Sequence, residues 1–150
     1  MIPPGLTGIY MWILEHLSEA DFHLRKKTLL WVAMALRPIT VHEMALAFAT
    51  PDDQETFDPS ETIMATAEDI LIACGPLIEI TPKDTLQFTH FSVKEFLLGH
   101  GYYNHDSLGQ GQDAVQQCLI LDVAAAHDAI LRTCSKYFFE LKSDNDYFKL

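Results

Sequence analysis

A chain of 150 residues, 49% apolar and 21% charged, has the composition of an ordinary globular protein and enough length to bury one core. Acidic residues outnumber basic ones 21 to 10, a formal charge of −11, which argues against a phosphate backbone or an anionic membrane surface as partner. The three cysteines, Cys74, Cys118 and Cys134, are odd in number and widely spaced, so they read as buried thiols in a reducing compartment and not as a disulfide framework.

The N-terminus, Met1-Ile2-Pro3-Pro4-Gly5, lacks the basic and apolar regions of a signal peptide. The longest apolar run, Leu29 to Leu36, is too short to cross a bilayer. A soluble cytoplasmic protein is the expectation. After the stiff Pro3-Pro4-Gly5 start, Leu6, Ile9, Ile13 and Leu17 recur at helical spacing and predict a first helix ending near Ser18. A second helix begins at Phe22 to Arg25, and its interior from Leu29 to Leu36 is apolar on all sides, as for a helix packed centrally. Arg37-Pro38 stops it, because proline disfavours a helical residue before it. Arg25-Lys26-Lys27 reads as a solvated helix start.

Thr40 followed by Glu43 is a capping-box spacing and starts a third helix, with Met44, Ala47 and Phe48 facing inward. Asp52 to Asp58 is an acidic, solvated loop. A fourth helix is predicted from Thr62 to Ala73, broken by Cys74-Gly75-Pro76. Leu77 to Ile80, the turn Thr81-Pro82-Lys83-Asp84, and Thr85 to Phe88 read as a β-hairpin. Ser92 with Glu95 three residues on is a second capping-box spacing, opening a helix to about Leu98. His90 then lies between a strand and a helix N-terminus, where free amides favour an anion such as phosphate. Taken by itself, it also reads as a histidine bonded to a nearby backbone group. Tyr102 to Gln112 is a linker, and Val123, His127, Ile130, Cys134, Tyr137 and Leu141 form the apolar seam of a last helix, before a fraying tail. Three helices followed by a two-stranded wing give a mainly α fold, a winged helix with flanking helices. The expected divisions are an N-terminal helix (1–20), the winged helix (21–100), a linker (101–118), a C-terminal helix (119–142) and a tail (143–150).

Several segments occur in an order that resembles the winged-helix segment following the NACHT domain of fungal STAND proteins, many of which end in ankyrin repeats. They are Pro3-Pro4-Gly5-Leu6, then Trp31 with Arg37-Pro38-Ile39-Thr40 and Glu43, then Cys74-Gly75-Pro76, Phe88 to Leu97, and Ala126-His127 with Cys134. The pattern is also similar to the winged-helix domain named after GPI inositol-deacylase. Ser135 departs from the apolar residue expected there. The resemblance implies a regulatory, non-catalytic module that packs on the NACHT nucleotide-binding domain, holds its ADP-bound closed state and connects it to C-terminal repeats. It also implies that His90 contacts a phosphate of ADP within a full-length parent. Arg37, Pro38, Thr40, Glu43, Cys74, Gly75, Ser92 and Glu95 would be its structural motif residues.

This sequence itself holds no Gly-x-x-x-x-Gly-Lys-Ser/Thr phosphate loop, so no cofactor is expected in the chain alone, and ADP or ATP belongs to the parent. The chain is expected to be either part of a larger gene product or a separately encoded remnant. The alternative is a free-standing protein-interaction adaptor, exposing apolar patches at Ile9, Ile13 and Tyr137. DNA binding fails on charge. The recognition helix would span Thr62 to Cys74, which carries Glu68 and Asp69 and no Lys or Arg, and the wing offers only Lys83 beside Asp84. Ser92 near His90 lacks a Gly-x-Ser-x-Gly elbow. His100, His105, Cys118, His127 and Cys134 lack paired zinc spacing, and the last two fall on the predicted seam.

Overall fold

The protein is described by a computed structural model covering residues 4–50, 64–99 and 122–144, with side chains between residues 5 and 139. The acidic loop, the 101–118 linker, His100, His105, Cys118 and residues 145–150 lie outside the described residues. Helix α1 runs Pro4–His16 and is followed by a single 3-10 turn, Glu19–Asp21. Helix α2, Phe22–Met34, leads to a two-residue strand β1, Ile39–Thr40, and helix α3, Val41–Ala49. Helix α4, Ala67–Cys74, a 3-10 turn Gly75–Leu77, strands β2 (Ile78–Ile80) and β3 (Thr85–Phe88), and helix α5, Phe91–Leu97, complete the winged helix. Helix α6 spans Val123–Asp144. Its helical backbone therefore continues past position 142, where the sequence placed the end of the helix.

Local chemistry explains most of these boundaries. At α3 the Thr40 hydroxyl accepts from the Glu43 amide at 3.1 Å, and the Glu43 carboxylate accepts from the Thr40 amide at 2.9 Å. Thr66 and Asp69 repeat that reciprocal cap at α4. The fourth helix is thus shorter than predicted, because the cap fixes its start at Ala67 and residues 64–66 are not helical. Helix α2 also stops sooner than its apolar run. Ala35 is already extended, with ψ 138°, since the chain must turn through Pro38 into β1, and Leu36 is left fully exposed.

The wing is larger than a hairpin. Its strand order is β1-β3-β2, with Ile39 opposite Leu86 and Ile78 opposite Phe88. The Thr81–Thr85 connection is a tight turn in which Asp84 adopts φ 58°, a conformation aspartate tolerates better than most residues. The Asp84 carbonyl accepts from the Val41 amide at 3.0 Å, tying the wing to the start of α3.

The core forms where α2 meets α3, α4 and β3, as its all-round apolarity predicted. Leu29, Met44, Ile70 and Leu77 are at most 1% exposed there, each contributing roughly 1.5–3 kcal/mol by burial. Arg25 joins them at 2% exposure, which corrects its reading as a solvated residue. Its guanidinium donates to the Ser18 carbonyl at 3.0 Å and to the Ala73 carbonyl at the end of α4 at 3.3 Å, where a helix terminus favours positive charge. Lys26 is exposed and Lys27 donates to the Thr50 carbonyl at 3.1 Å.

The seam of α6 is rotated from the predicted one. Ala126 and Thr133 are buried, Ile130, Cys134 and Tyr137 are half-buried, and Val123 and His127 are exposed. The helix packs chiefly on α2, and its buried side chains at 126 and 133 are both small. Among the described residues no helix is long and apolar enough to cross a membrane.

Candidate functional site at the strand–helix joint

His90 is the N-cap of α5, two residues past β3, and is exposed to solvent. Here the structure corrects the second capping box. Ser92 lies inside the helix and is fully buried, so it cannot be the cap. The His90 side chain takes that place, with Nδ1 accepting from the Ser92 amide at 3.2 Å. The His90 carbonyl accepts from the Val93 amide at 3.0 Å. The Ser92 and Val93 amides at the helix start are therefore satisfied by His90 itself.

What remains for a ligand is the far edge of the ring. Nδ1 accepts from an amide, so the proton of the neutral imidazole sits on Nε2, and Nε2 has no hydrogen-bond partner among the described residues. Phe91, 67% exposed, lies beside the ring with centroids 4.7 Å apart. On the inner side the Ser92 hydroxyl is 2.6 Å from Nδ1 and 2.6 Å from the Tyr10 hydroxyl of α1. Tyr10 in turn packs on Phe96 of α5, centroids 5.3 Å apart. Sequence reasoning missed Tyr10, because 82 positions separate it from Ser92 and nothing local marks it.

The Ser92–His90 pair has the distance of a nucleophile and its base, but not the setting. Ser92 has no exposed surface and its oxygen is enclosed by Tyr10, so no substrate carbonyl reaches it. Among the described residues no group of three His, Cys, Asp or Glu side chains could hold a metal ion. The outer face of α4, where a DNA reader needs cations, presents Glu68, Asp69, Leu71 and Ile72.

The remaining motif residues shape the frame. Arg37 forks onto the Glu43 carboxylate and also donates to the Pro38 carbonyl at 3.1 Å. That fork, with the Thr40 amide, holds the Glu43 carboxyl down at about 2. Cys74 is buried, and desolvation pushes its thiol up to about 12, against smaller opposing effects of the Thr28 hydroxyl and the Arg25 charge. Gly75 ends α4 at φ 55° and ψ −142°, with its amide bonded to the Leu71 carbonyl. Glu95 is half-buried on α5.

The sequence matches the family described as the GPI inositol-deacylase winged helix domain over residues 15–107. It is also similar to the vegetative incompatibility protein HET-E-1 of Podospora anserina, 36% identical over 98 residues. That match covers 65% of this chain and 7% of the relative, so the chain spans well under a tenth of that protein's length. No solved structure matches.

Proposed function

Starting from a chain that belongs to the GPI inositol-deacylase winged helix domain family, we propose that it acts as a non-catalytic regulatory module. It packs on a NACHT-type nucleotide-binding domain, favours that domain's ADP-bound closed state and connects it to C-terminal repeats. The observation that carries this reading is His90: an exposed imidazole at a strand–helix joint, its Nδ1 engaged and its Nε2–H available as a donor. A phosphate oxygen accepts such a proton well. The chain contributes this one donor, and the remaining phosphate contacts belong to the nucleotide-binding domain.

The test uses the longest protein encoded with this segment, purified without added nucleotide, and measures how much ADP stays bound. One hydrogen bond to a charged acceptor corresponds to about 1.5–3 kcal/mol, so His90→Ala should weaken ADP retention by roughly tenfold or more. Retention equal to that of the unaltered protein refutes the reading. The chain alone should show neither ATP turnover nor salt-sensitive DNA affinity.

A second reading, a protein-interaction adaptor, is favoured by the exposed apolar side chains. Ile9 and Trp12 of α1 are 51% and 59% exposed, and Ile72 of α4 is 59% exposed. Ile13 and Tyr137, expected in such a patch, are half-buried. The adaptor reading gains if Trp12→Ala abolishes association with another protein while His90→Ala does not.

A further inference from the structure

His90 can donate through Nε2 only while its neutral ring keeps the proton there, and an imidazole in water has two tautomers available. The structure biases that choice from the buried side. The Ser92 amide can only donate, and it donates to Nδ1. The Ser92 hydroxyl reaches the same nitrogen at 2.6 Å and has a single proton to give. With that proton directed at Nδ1, its oxygen is left to accept from Tyr10, whose hydroxyl stands 2.6 Å away. Tyr10 is 7% exposed and Ser92 has no exposed surface, so bulk water does not compete for either link. The hydrogen bonds then run in one direction, from Tyr10 to Ser92 to His90.

We infer that Tyr10 and Ser92 are positioning residues that hold His90 as the Nε2–H tautomer, so that the donor at His90 depends on α1 being docked against α5. The use of that donor rests on the phosphate reading of His90; the chain of hydrogen bonds does not. Its consequence is a coupling between distant segments. A motion that separates α1 from α5 removes the Tyr10 proton from Ser92, and the serine hydroxyl is then free to turn away from the ring. His90 loses its tautomeric bias without any change in its own backbone.

The experiment is nitrogen-15 NMR of the imidazole in the purified chain, without nucleotide, at a pH where His90 is neutral. The His90 signals are identified by their loss in His90→Gln. The expected result is a dominant Nε2–H tautomer in the unaltered chain. Ser92→Ala should move the tautomer ratio toward Nδ1–H by roughly fivefold or more, the size of one net hydrogen bond, and Tyr10→Phe should move it the same way by less. Tyr10→Phe deletes a single oxygen, so it carries the test even if Ser92→Ala does not fold. A dominant Nδ1–H form in the unaltered chain, or an unchanged ring in folded Tyr10→Phe, overturns the inference. ADP retention that ignores His90→Ala sinks the phosphate reading and leaves these ring signals as they are, so the two failures are told apart.

Discussion

Gly75→Ala should destabilise the domain by about 1–3.5 kcal/mol. Two separate effects contribute. The backbone at φ 55° and ψ −142° lies close to a region that only glycine enters freely, at a cost of about 1–3 kcal/mol for other residues. An added Cβ would also stand 2.9 Å from Leu17 Cδ2, inside contact distance. That atom is the end of a flexible side chain, so the clash should sit near the low end of the roughly 1–3 kcal/mol for overpacking. Alanine also restricts the unfolded chain, which offsets about 0.4–1 kcal/mol. The net loss corresponds to a melting shift of roughly 2–14 °C for a chain of this size. Urea unfolding should show a lower midpoint at an unchanged slope. Placing the substitution in a Leu17→Ala background isolates the backbone part, because the clashing atoms are then absent. Asparagine, which accepts the left-handed helical region, should rescue little, since ψ is wrong for that region. A loss under about 0.5 kcal/mol, or an asparagine variant as stable as glycine, would refute the reasoning.

Glu43→Gln should cost about 1 kcal/mol near neutral pH, a modest value because the pair with Arg37 is partly exposed to solvent. The folded carboxyl is depressed from 4.5 to about 2, so its stabilisation is present above 4.5 and is lost as pH falls through that window. Unfolding curves of the two proteins should therefore converge toward pH 2, and a constant gap would contradict the assignment. Arg25→Met should lose about 1–3 kcal/mol in urea, because the Ala73 carbonyl is left buried without its donor. Near pH 8 a thiol reagent should leave Cys74 unmodified in the folded protein and label it once urea unfolds the chain, as read by peptide mass spectrometry.

Features written in neighbouring residues were legible from sequence. The Thr40–Glu43 cap and the hairpin turn at Pro82 each depend on contacts a few positions apart and lie where expected, while Pro38 ends α2 a few residues earlier than its apolar run suggested. Contacts between remote segments were not. Strand β1 is two residues long and pairs with residues 45 positions or more downstream, too little to leave a pattern of its own. Arg25 looks like any lysine-rich helix start until the end of α4 is laid against it. At the candidate site a local rule misled: Ser92 and Glu95 have capping-box spacing, yet the imidazole two residues earlier reaches the amide first and leaves the serine buried against Tyr10.

The short strand β1 has a consequence for behaviour in concentrated solution. It covers one side of β3, so the two outer margins of the sheet are only two and three residues long. A margin that short gives a second chain almost no row of amides and carbonyls to template upon. Among the described residues, tryptophan and isoleucine side chains turn outward from helices, while the sheet itself offers fibre growth little to build on. Contacts made through those exposed side chains of α1 and α4 then fall to packing between helices.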